Sequence, residues 1–589
     1  MANTTSNKKI HEYTADICVV GGGFAGMCAA ISAARHGRRV VIIHDRPVFG
    51  GNASSEVRMW PMGAHGKNRR ETGLFEEIIL NNMHRNPTRN YPIWDSVLFE
   101  AVRMQEGITS LLNCTVMDAE MKDEKTVGAV YGWQMTTYRN VRVCADIFID
   151  CSGDSILAEL TGAEYRFGRE ARGEFNEAAA PVEADRKTMG NSCLLQVRET
   201  PVNIKYTPPT WARVLPDEEQ MATRPHAPDQ FRDNNFWWME LGGTQDTIED
   251  AEEIRDELLK LSFGVWDHIK NRGDHNADKW ELEWAGFLPG KRESRRYVGD
   301  HILTQSDVQS GGKFDDIIAF GGWQIDDHPP AGFDHKGEPT TYYDCPSPFG
   351  IPYRCLYSKN IDNLMFAGRN ISVTHVAMAA SRVMGTCAML GQAAGTAAAL
   401  AVEKNTSPRG VNEYMDELQR RLMNDDCWLP GLNRRVSDEC RNANLIGNAV
   451  DRENLRNGID RPTDENGDNG CNIALGDYVE YTSSKPFYVG EVHLVFDSDL
   501  DRETLKGGIQ EICDCPTVCN RPLNMEPYTF PSTMTKGFKI IADGETVFET
   551  SDNHRRLVKH KIDKTVTSLA LVPTETYGSE CAHVFSFDF

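Results

Sequence analysis

Positive charge is scarce in this chain: 63 Lys and Arg stand against 86 Asp and Glu, a formal net charge of −23. Phosphate backbones and anionic membrane surfaces repel such a surface, which sets nucleic acid aside as a partner. Long apolar runs are also missing. Mean hydropathy is −0.47, and no stretch reads as approaching the ~20 apolar residues that span a bilayer, so no membrane partner is expected. The opening MANTTSNKKIHEYTAD holds no apolar core, so no secretory leader is expected. The 16 cysteines lack framework spacing, and Cys18, Cys28 and Cys387 lie inside apolar runs. That usage predicts free thiols, a reducing compartment and a cytoplasmic location. No repeat of fixed period is present. Membrane, disordered, fibrous and disulfide-scaffold classes are thereby disfavoured. What remains is a globular chain of 589 residues, enough for several domains.

The first informative block begins at residue 16. DICVV has the pattern of a buried strand and ends in Gly21-Gly22-Gly23. FAGMCAAISAARHG follows with strong helix formers and Gly37 as a stop, and RRVVIIHD reads as a second strand. Strand, glycine turn, helix and strand in this order make a βαβ unit with parallel strands. Within it, Gly21, Gly23 and Gly26 satisfy G-x-G-x-x-G, with Phe24 and Ala25 between them. Gly21 permits the tight turn, Gly23 lets backbone approach a pyrophosphate, and Gly26 lets the helix pack closely on the strand. The helix N-terminus then faces the negative charge. A flanking strand and helix supply the context that a bare glycine motif lacks, so a dinucleotide is the expected ligand. Its ribose partner belongs at the end of the second strand, where His44 and Asp45 stand. Asp45 is the expected contact. The alternative is that Asp45 only salts the strand end while His44 or a backbone group reaches the ribose.

Farther along, residues 109–150 turn to short strands, and 165–345 become more polar, rich in Trp and broken by Pro. One amphipathic helix stands out in TIEDAEEIRDELLKLSFGVWDHIKN, with Ile248, Ala251, Ile254, Leu258, Leu261 and Val265 at helical spacing and Thr247 and Asp250 as N-cap residues. NLMFAGRN then brings a second strand and glycine turn, ending at Gly368, before a Gly- and Ala-rich helix. So late a return implies that a distant segment completes one large cofactor site. The last stretch is all β in texture, with Asp543-Gly544 as a hairpin turn.

These blocks resemble a known family. GGGFAGMCAAISAARHGRRVVIIHDRPVFGGNASSE is similar to the N-terminal signature of FAD-dependent oxidoreductases, and within them to a bacterial FAD-dependent oxidoreductase family. IDCSGDSILAELTGAEYRFGRE resembles that family's second nucleotide-proximal turn, with Gly153 and Asp154. NLMFAGRNISVTHVAMAASRVMGTCAMLGQAAGTAAALA resembles the C-terminal FAD block of fumarate reductase-like flavoproteins. The chain departs from the pattern at His44-Asp45, where many FAD proteins carry Glu. The resemblance implies FAD as cofactor, with Gly368 and Arg369 bordering its ribitol and pyrophosphate. It also implies that the backbone of Val383, Met384 and Gly385 faces the flavin N1–O2 edge, where a helix dipole stabilises anionic reduced flavin. Gly51, Asn52 and Ser54 add small groups and backbone donors beside the flavin or pyrophosphate.

The expected fold is α/β. It comprises a Rossmann-like FAD-binding domain in two parts (14–165 and 345–405) and an inserted α+β substrate domain (166–344). A helical connector (406–469) and an all-β C-terminal sandwich (470–589), which resembles carbohydrate-binding or discoidin-like modules, complete it.

For the chemistry, the resemblance to fumarate reductase-like proteins marks His375 and Arg382 as pocket residues. Arg292, in a charged run that enters apolar sequence, and His328, between acids and prolines, are added from the residues themselves. Arg58 and His65 are weaker candidates. Cys513, Cys515 and Cys519 form the one dense cysteine cluster; free thiols are expected there, with zinc or a disulfide as alternatives, and no metal is assigned. The expected function is hydride transfer between flavin and a small polar substrate, a sugar or glycoside hydroxyl being favoured, with His328 or His375 taking the proton. Alternatives are reduction of an unsaturated acid with Arg382 and Arg292 as clamps, redox-neutral elimination or isomerisation of a sugar, and a glycan-binding protein with a structural flavin. An unidentified electron acceptor is implied, and a homo-oligomer is compatible with the sequence.

Overall fold

The computed structural model describes residues 10–227, 235–273, 275–463, 467–500, 517–518, 520–525 and 527–589. Cys513, Cys515 and Cys519 lie outside them. The chain divides into two compact units. The first is Met1–Ala64, Asn90–Leu418 and Thr517–Glu526; the second is His65–Arg89, Gln419–Pro516 and Pro527–Phe589.

A parallel sheet runs through the first unit. Its strands are β1 (Ile17–Val20), β2 (Val40–Ile43), β3 (Ile108–Leu111), β4 (Ile147–Asp150) and β5 (Leu364–Phe366), in the spatial order β5-β4-β1-β2-β3. Ile17 is level with Val40 on one side and Ile147 on the other, and Leu364 is level with Phe148. Every residue of β1, β2, β4 and β5 is buried. Strands covered on both faces read as unbroken apolar runs, which is why ICVV and VVII were legible as strands.

Four helices position the site: α1 (Phe24–Arg35), α2 (Ala251–Asn271), α3 (His375–Ser381) and α4 (Met384–Lys404). α1 starts after Gly23 with no side-chain cap and stops at Gly37, whose φ is +78°. α4 packs on α1 through two glycines. A Cβ on Gly391 would lie 2.1 Å from the Ala25 carbonyl oxygen, and one on Gly395 would lie 2.2 Å from that of Ala29. By length and composition α4 is also apolar enough to cross a bilayer, which corrects the expectation that no stretch approaches that length. Its apolar window is 94% buried inside the unit, so these small side chains serve close helix packing.

Between β4 and β5 the chain builds an α+β region. Leu195–Glu199 pairs antiparallel with Trp280–Ala285, and Asn191–Ser192 lies between Glu240–Leu241 and Gly290–Lys291. α2 presents Leu261, Val265, Trp266 and Ile269 to a core that includes Trp238, Met239 and Phe333. The helix begins at Ala251, and Asp250 caps it without a side-chain hydrogen bond. Thr247 does not cap it; its hydroxyl donates to the Glu293 carbonyl.

Among the described residues, the second unit is built on seven antiparallel strands. Val479–Phe496 pairs with Leu557–Thr576, Cys581–Asp588 and Asn444–Gly447, and the long strands shift register at Val489/Glu491 and near Thr482, where they bend. Asp543 (φ +48°) and Gly544 (φ +81°) make the hairpin between Thr535–Ala542 and Glu545–Thr550, as their sequence predicts. This unit also takes up the helix Leu74–Arg85, whose Glu76 pairs with Arg556. The thirteen described cysteines are all free thiols.

Candidate functional site

At the C-terminal edge of the parallel sheet, five turns converge. Gly21 turns with φ +104°, and a Cβ there would lie 2.3 Å from the Cys151 carbonyl oxygen; on Gly26 it would lie 1.9 Å from the Gly21 oxygen. Both positions are closed to any side chain. Gly23 differs: its nearest neighbour would be Gly51 Cα at 3.9 Å, so one side of this backbone is open. Gly50 donates to the Gly22 carbonyl at 2.9 Å, which sets the Gly51-Asn52 turn against the first. Phe24 is buried against Trp94, and the Trp94 indole N–H holds the Ala53 carbonyl at 2.9 Å. Ser54 is buried, its hydroxyl donating to the Gly51 carbonyl. Asn52 donates to the Lys291 carbonyl at 3.0 Å.

His44 and Asp45 split the work at the end of β2. His44 is buried; Nδ1 accepts the Gly22 N–H at 3.0 Å, so the other nitrogen carries the proton and donates to the Val48 carbonyl at 3.0 Å. Both ring nitrogens are spent on the loop. The Asp45 side chain, 57% exposed, lies 3.2 Å from His44 Nδ1.

The turn after β4 carries Gly153 and Asp154, and the turn after β5 carries Gly368 and Arg369. They meet: the Arg369 guanidinium lies over Gly153 and donates to Asp154 at 2.8 Å. Asp154 also accepts from Lys291 Nζ and the Ser294 hydroxyl, each at 2.8 Å. Burial alone would raise the Asp154 carboxyl, but Lys291 and Arg369 hold it well below the usual carboxylate range. Behind it Asp150 is fully buried, accepting from Tyr297 at 2.6 Å, and burial raises its carboxyl.

α4 begins at Val383 without a side-chain cap, but the Gly385 N–H, expected to face the flavin, is instead spent on the Met62 carbonyl at 2.8 Å. Helix starts of this kind leave backbone donors available to an anionic ligand edge. The open side of Gly23, the uncapped starts of α1 and α4, and the unpartnered Nε of Arg369 are donors and space that would suit an FAD. The structure thus brings Gly21 to Gly26, Gly51 to Ser54, Gly153, Asp154, Gly368, Arg369 and Val383 to Gly385 to one edge.

Arg382 immediately precedes this flavin-side turn and leads into a buried ionic network. Its NH2 donates to the Asp326 backbone and carboxylate, each at 3.2 Å, while its Nε has no partner. Asp326 continues to His328 Nε2 at 3.3 Å, and His328 Nδ1 meets Glu240 at 2.6 Å. Burial opposes charge on His328, but Glu240 and Asp326 outweigh it and raise the imidazole. Arg292 lies against the same Glu240 at 3.4 Å, with its other donors on Ser192 and the Trp237 carbonyl, each at 2.8 Å. His375, the first residue of α3, sits between Glu293 at 2.9 Å and Asp327 at 3.1 Å. These two carboxylates overcome its burial and raise it to about 10. The four candidate catalytic side chains therefore join through neighbouring acids, Asp326 and Asp327.

Three members of this assembly escape sequence reading. Glu240 lies in the apolar stretch WWMEL, and a lone acid there was the only available signal. Glu293 and Lys291 stand inside a charged run that gives no hint of which charges turn inward. Arg58 has φ +65° and is sandwiched between Tyr91 and Trp284, its guanidinium 4.6 and 4.1 Å from the rings.

Soluble pyridine nucleotide transhydrogenases of Hahella chejuensis and Marinobacter nauticus are 49% identical over 43 residues and 50% over 44 residues. These matches cover 7% and 8% of this chain, and the chain spans only 9% of each relative's length. Among solved structures, a geranylgeranyl bacteriochlorophyll reductase-like protein of Thermoplasma acidophilum is 14% identical, with 70% of this chain and 86% of that one covered, at a TM-score of 0.31. FrdA of the E. coli quinol fumarate reductase is 12% identical, with 70% and 75% covered, at a TM-score of 0.27. A family profile described as FAD dependent oxidoreductase matches residues 16–422, from before the first glycine turn to beyond α4. By that match, which takes in all the turns described above, the chain belongs to the FAD-dependent oxidoreductase family.

Proposed function

We propose that this oxidoreductase exchanges hydride with an oxygen-bearing carbon of a small, neutral, polar substrate, a sugar or glycoside hydroxyl being the favoured class. FAD supplies the hydride acceptor when bound. One observation carries the reading: the cations of the network are already matched by buried carboxylates, Arg382 by Asp326 and Arg292 by Glu240. A substrate carboxylate would have to compete with Glu240 for Arg292, which is also spent on Ser192 and Trp237, and with Asp326 for Arg382. A neutral oxygen needs only one donor, and Arg382 stabilises charge developing on it. Asp326 and Asp327 are held low by contacts with His328 and His375 respectively, so they stay ionised and would orient a substrate hydroxyl by accepting its hydrogen bond. His328 and His375, each between two acids, keep those carboxylates oriented and ionised. Half-buried Trp323, whose indole N–H reaches Asp326 at 3.4 Å, and exposed Tyr342 beside it add aromatic faces suited to a sugar ring. The free thiols fit a cytoplasmic setting.

The test is an anaerobic absorbance titration of the purified holoprotein with a panel of sugars and glycosides. Bleaching of the flavin band near ~450 nm by one of them supports the proposal and names the class. No bleaching by any sugar, with reoxidation of the reduced protein by unsaturated acids, overturns it in favour of carboxylate-substrate reduction.

A further inference from the structure

Away from the flavin side, the C-terminal end of α2 meets the segment 215–227, and four side chains converge there. Ligating atoms of Glu218, His226, His268 and His275 all lie within 4.8 Å of one another. The Nε2 atoms of the three histidines stand 3.3, 3.2 and 3.1 Å from the Glu218 carboxylate. Two of the rings turn their other nitrogen outward to backbone: His226 Nδ1 lies 2.6 Å from the Arg224 carbonyl and His268 Nδ1 2.8 Å from that of Leu215. A neutral imidazole has one proton, and a carbonyl partner holds it on Nδ1. The Nε2 lone pairs of His226 and His268 then face a carboxylate, with His275 Nε2 in the same cluster. Such a set repels itself unless a cation lies in the middle. His275 is the clearest member, for its side chain is 9% exposed and its Nε2 has no hydrogen-bond partner.

We propose that Glu218, His226, His268 and His275 form a binding site for a divalent transition metal of the zinc type. Three imidazoles and one carboxylate suit zinc, whereas magnesium and calcium prefer all-oxygen shells. Bonds of about 2.0–2.1 Å in a tetrahedron place ligand atoms about 3.3 Å apart, matching the separations from Glu218. The backbone carbonyls behind the rings fix tautomer and orientation, as outer partners of metal-bound histidines do. Four protein ligands close the shell, so the ion is structural and ties the segment 215–227 to the end of α2. The tie reaches farther, because Arg224, two residues before His226, donates to the carbonyls of Gly332, His335 and Gly337, just beyond His328. The inference is independent of the proposed substrate.

The test uses the full-length protein with its FAD. After chelation and dialysis it is reloaded with Zn²⁺, desalted, and its metal content measured by mass spectrometry while flavin absorbance is followed. The expected result is one zinc per chain, unchanged flavin content, and a melting temperature that rises with Zn²⁺ but not with Mg²⁺. His226→Ala and Glu218→Gln each weaken zinc binding at least about tenfold. Glu218→Gln decides the matter if a histidine variant folds poorly, since that side chain is 62% exposed. No stoichiometric zinc in the wild type, or wild-type affinity in Glu218→Gln, overturns the proposal.

Discussion

Replacing Gly391 by Ala tests how the cofactor seat depends on the α1–α4 contact. Alanine is the better helix former by about 0.8–1 kcal/mol, so propensity alone predicts a gain. Geometry predicts the opposite. The new Cβ would sit 2.1 Å from the Ala25 carbonyl oxygen and 2.7 Å from its carbon. Real Cβ contacts begin near 3.0 Å, so the helices must part by about 1 Å. Neither side can yield as a flexible side chain would, because both contacts are backbone. Overpacking of this kind costs about 1–3 kcal/mol, enough to outweigh the propensity gain in most of that range. Net of the propensity gain the loss is up to about 2 kcal/mol, which in a unit of roughly 400 residues reads as a fall in melting temperature of up to about 3 °C. Ala25 also belongs to the glycine turn, so displacement of α1 there lowers FAD retention. Gly395→Ala serves as the comparison: its Cβ would strike Ala29, one turn deeper along α1, at 2.2 Å. It should cost similar stability and less cofactor. Differential scanning fluorimetry and the flavin-to-protein absorbance ratio read both effects. Wild-type melting and wild-type flavin content in Gly391→Ala would refute the argument, since a 2.1 Å contact cannot be accommodated at no cost.

Three further outcomes are expected. His44→Ala leaves the Gly22 N–H and the Val48 carbonyl without their partner, costing about 1–3 kcal/mol and lowering flavin content; equal unfolding midpoints in urea would contradict it. His375 is raised on folding from 6.5 to about 10, so its contribution to stability is complete below about pH 6.5 and is lost as pH rises toward 10. Melting temperatures measured from pH 7 to 10 should therefore fall more steeply for wild type than for His375→Gln, and parallel curves would defeat the assignment. Arg382→Met should slow anaerobic flavin reduction by the substrate about 100-fold with FAD retained; an unchanged rate in stopped flow would remove Arg382 from the chemistry.

The glycine turns were legible because their chemistry is local. Gly21, Gly23 and Gly26 lie within six residues between a strand and a helix, and each meets a constraint that adjacent backbone sets. The ionic network was half legible. Arg292 and His328 stood out from their own sequence context and His375 and Arg382 through the family resemblance, but the acids that surround them arrive from far away. Glu240 reaches His328 across 88 residues and Glu293 reaches His375 across 82. No periodicity encodes such pairings, and they change the roles: a histidine between two carboxylates is a cation, not a base. The Glu218 cluster was illegible for the same reason, because its two halves lie some 40 residues apart and match no metal spacing. The helix Leu74–Arg85 carries an ordinary amphipathic pattern, and nothing in it says that its partners are the C-terminal strands.

The edge position of β5 has a consequence for how the chain is made. β4 leaves the ribosome early, with all four of its residues destined for burial, yet the strand that covers its outer edge begins at Leu364, more than 200 residues later. At about 5–20 residues per second, that edge waits roughly 10–40 s for its neighbour. Through that interval Ile147–Asp150 presents apolar side chains and unpaired backbone, a template for pairing with another nascent chain. Gly368, Arg369 and Val383 arrive with or after the covering strand, so FAD cannot protect the early intermediate. Fragments ending before Leu364 should accumulate in aggregates even with added flavin, whereas those reaching past α4 have both the edge and the cofactor seat closed.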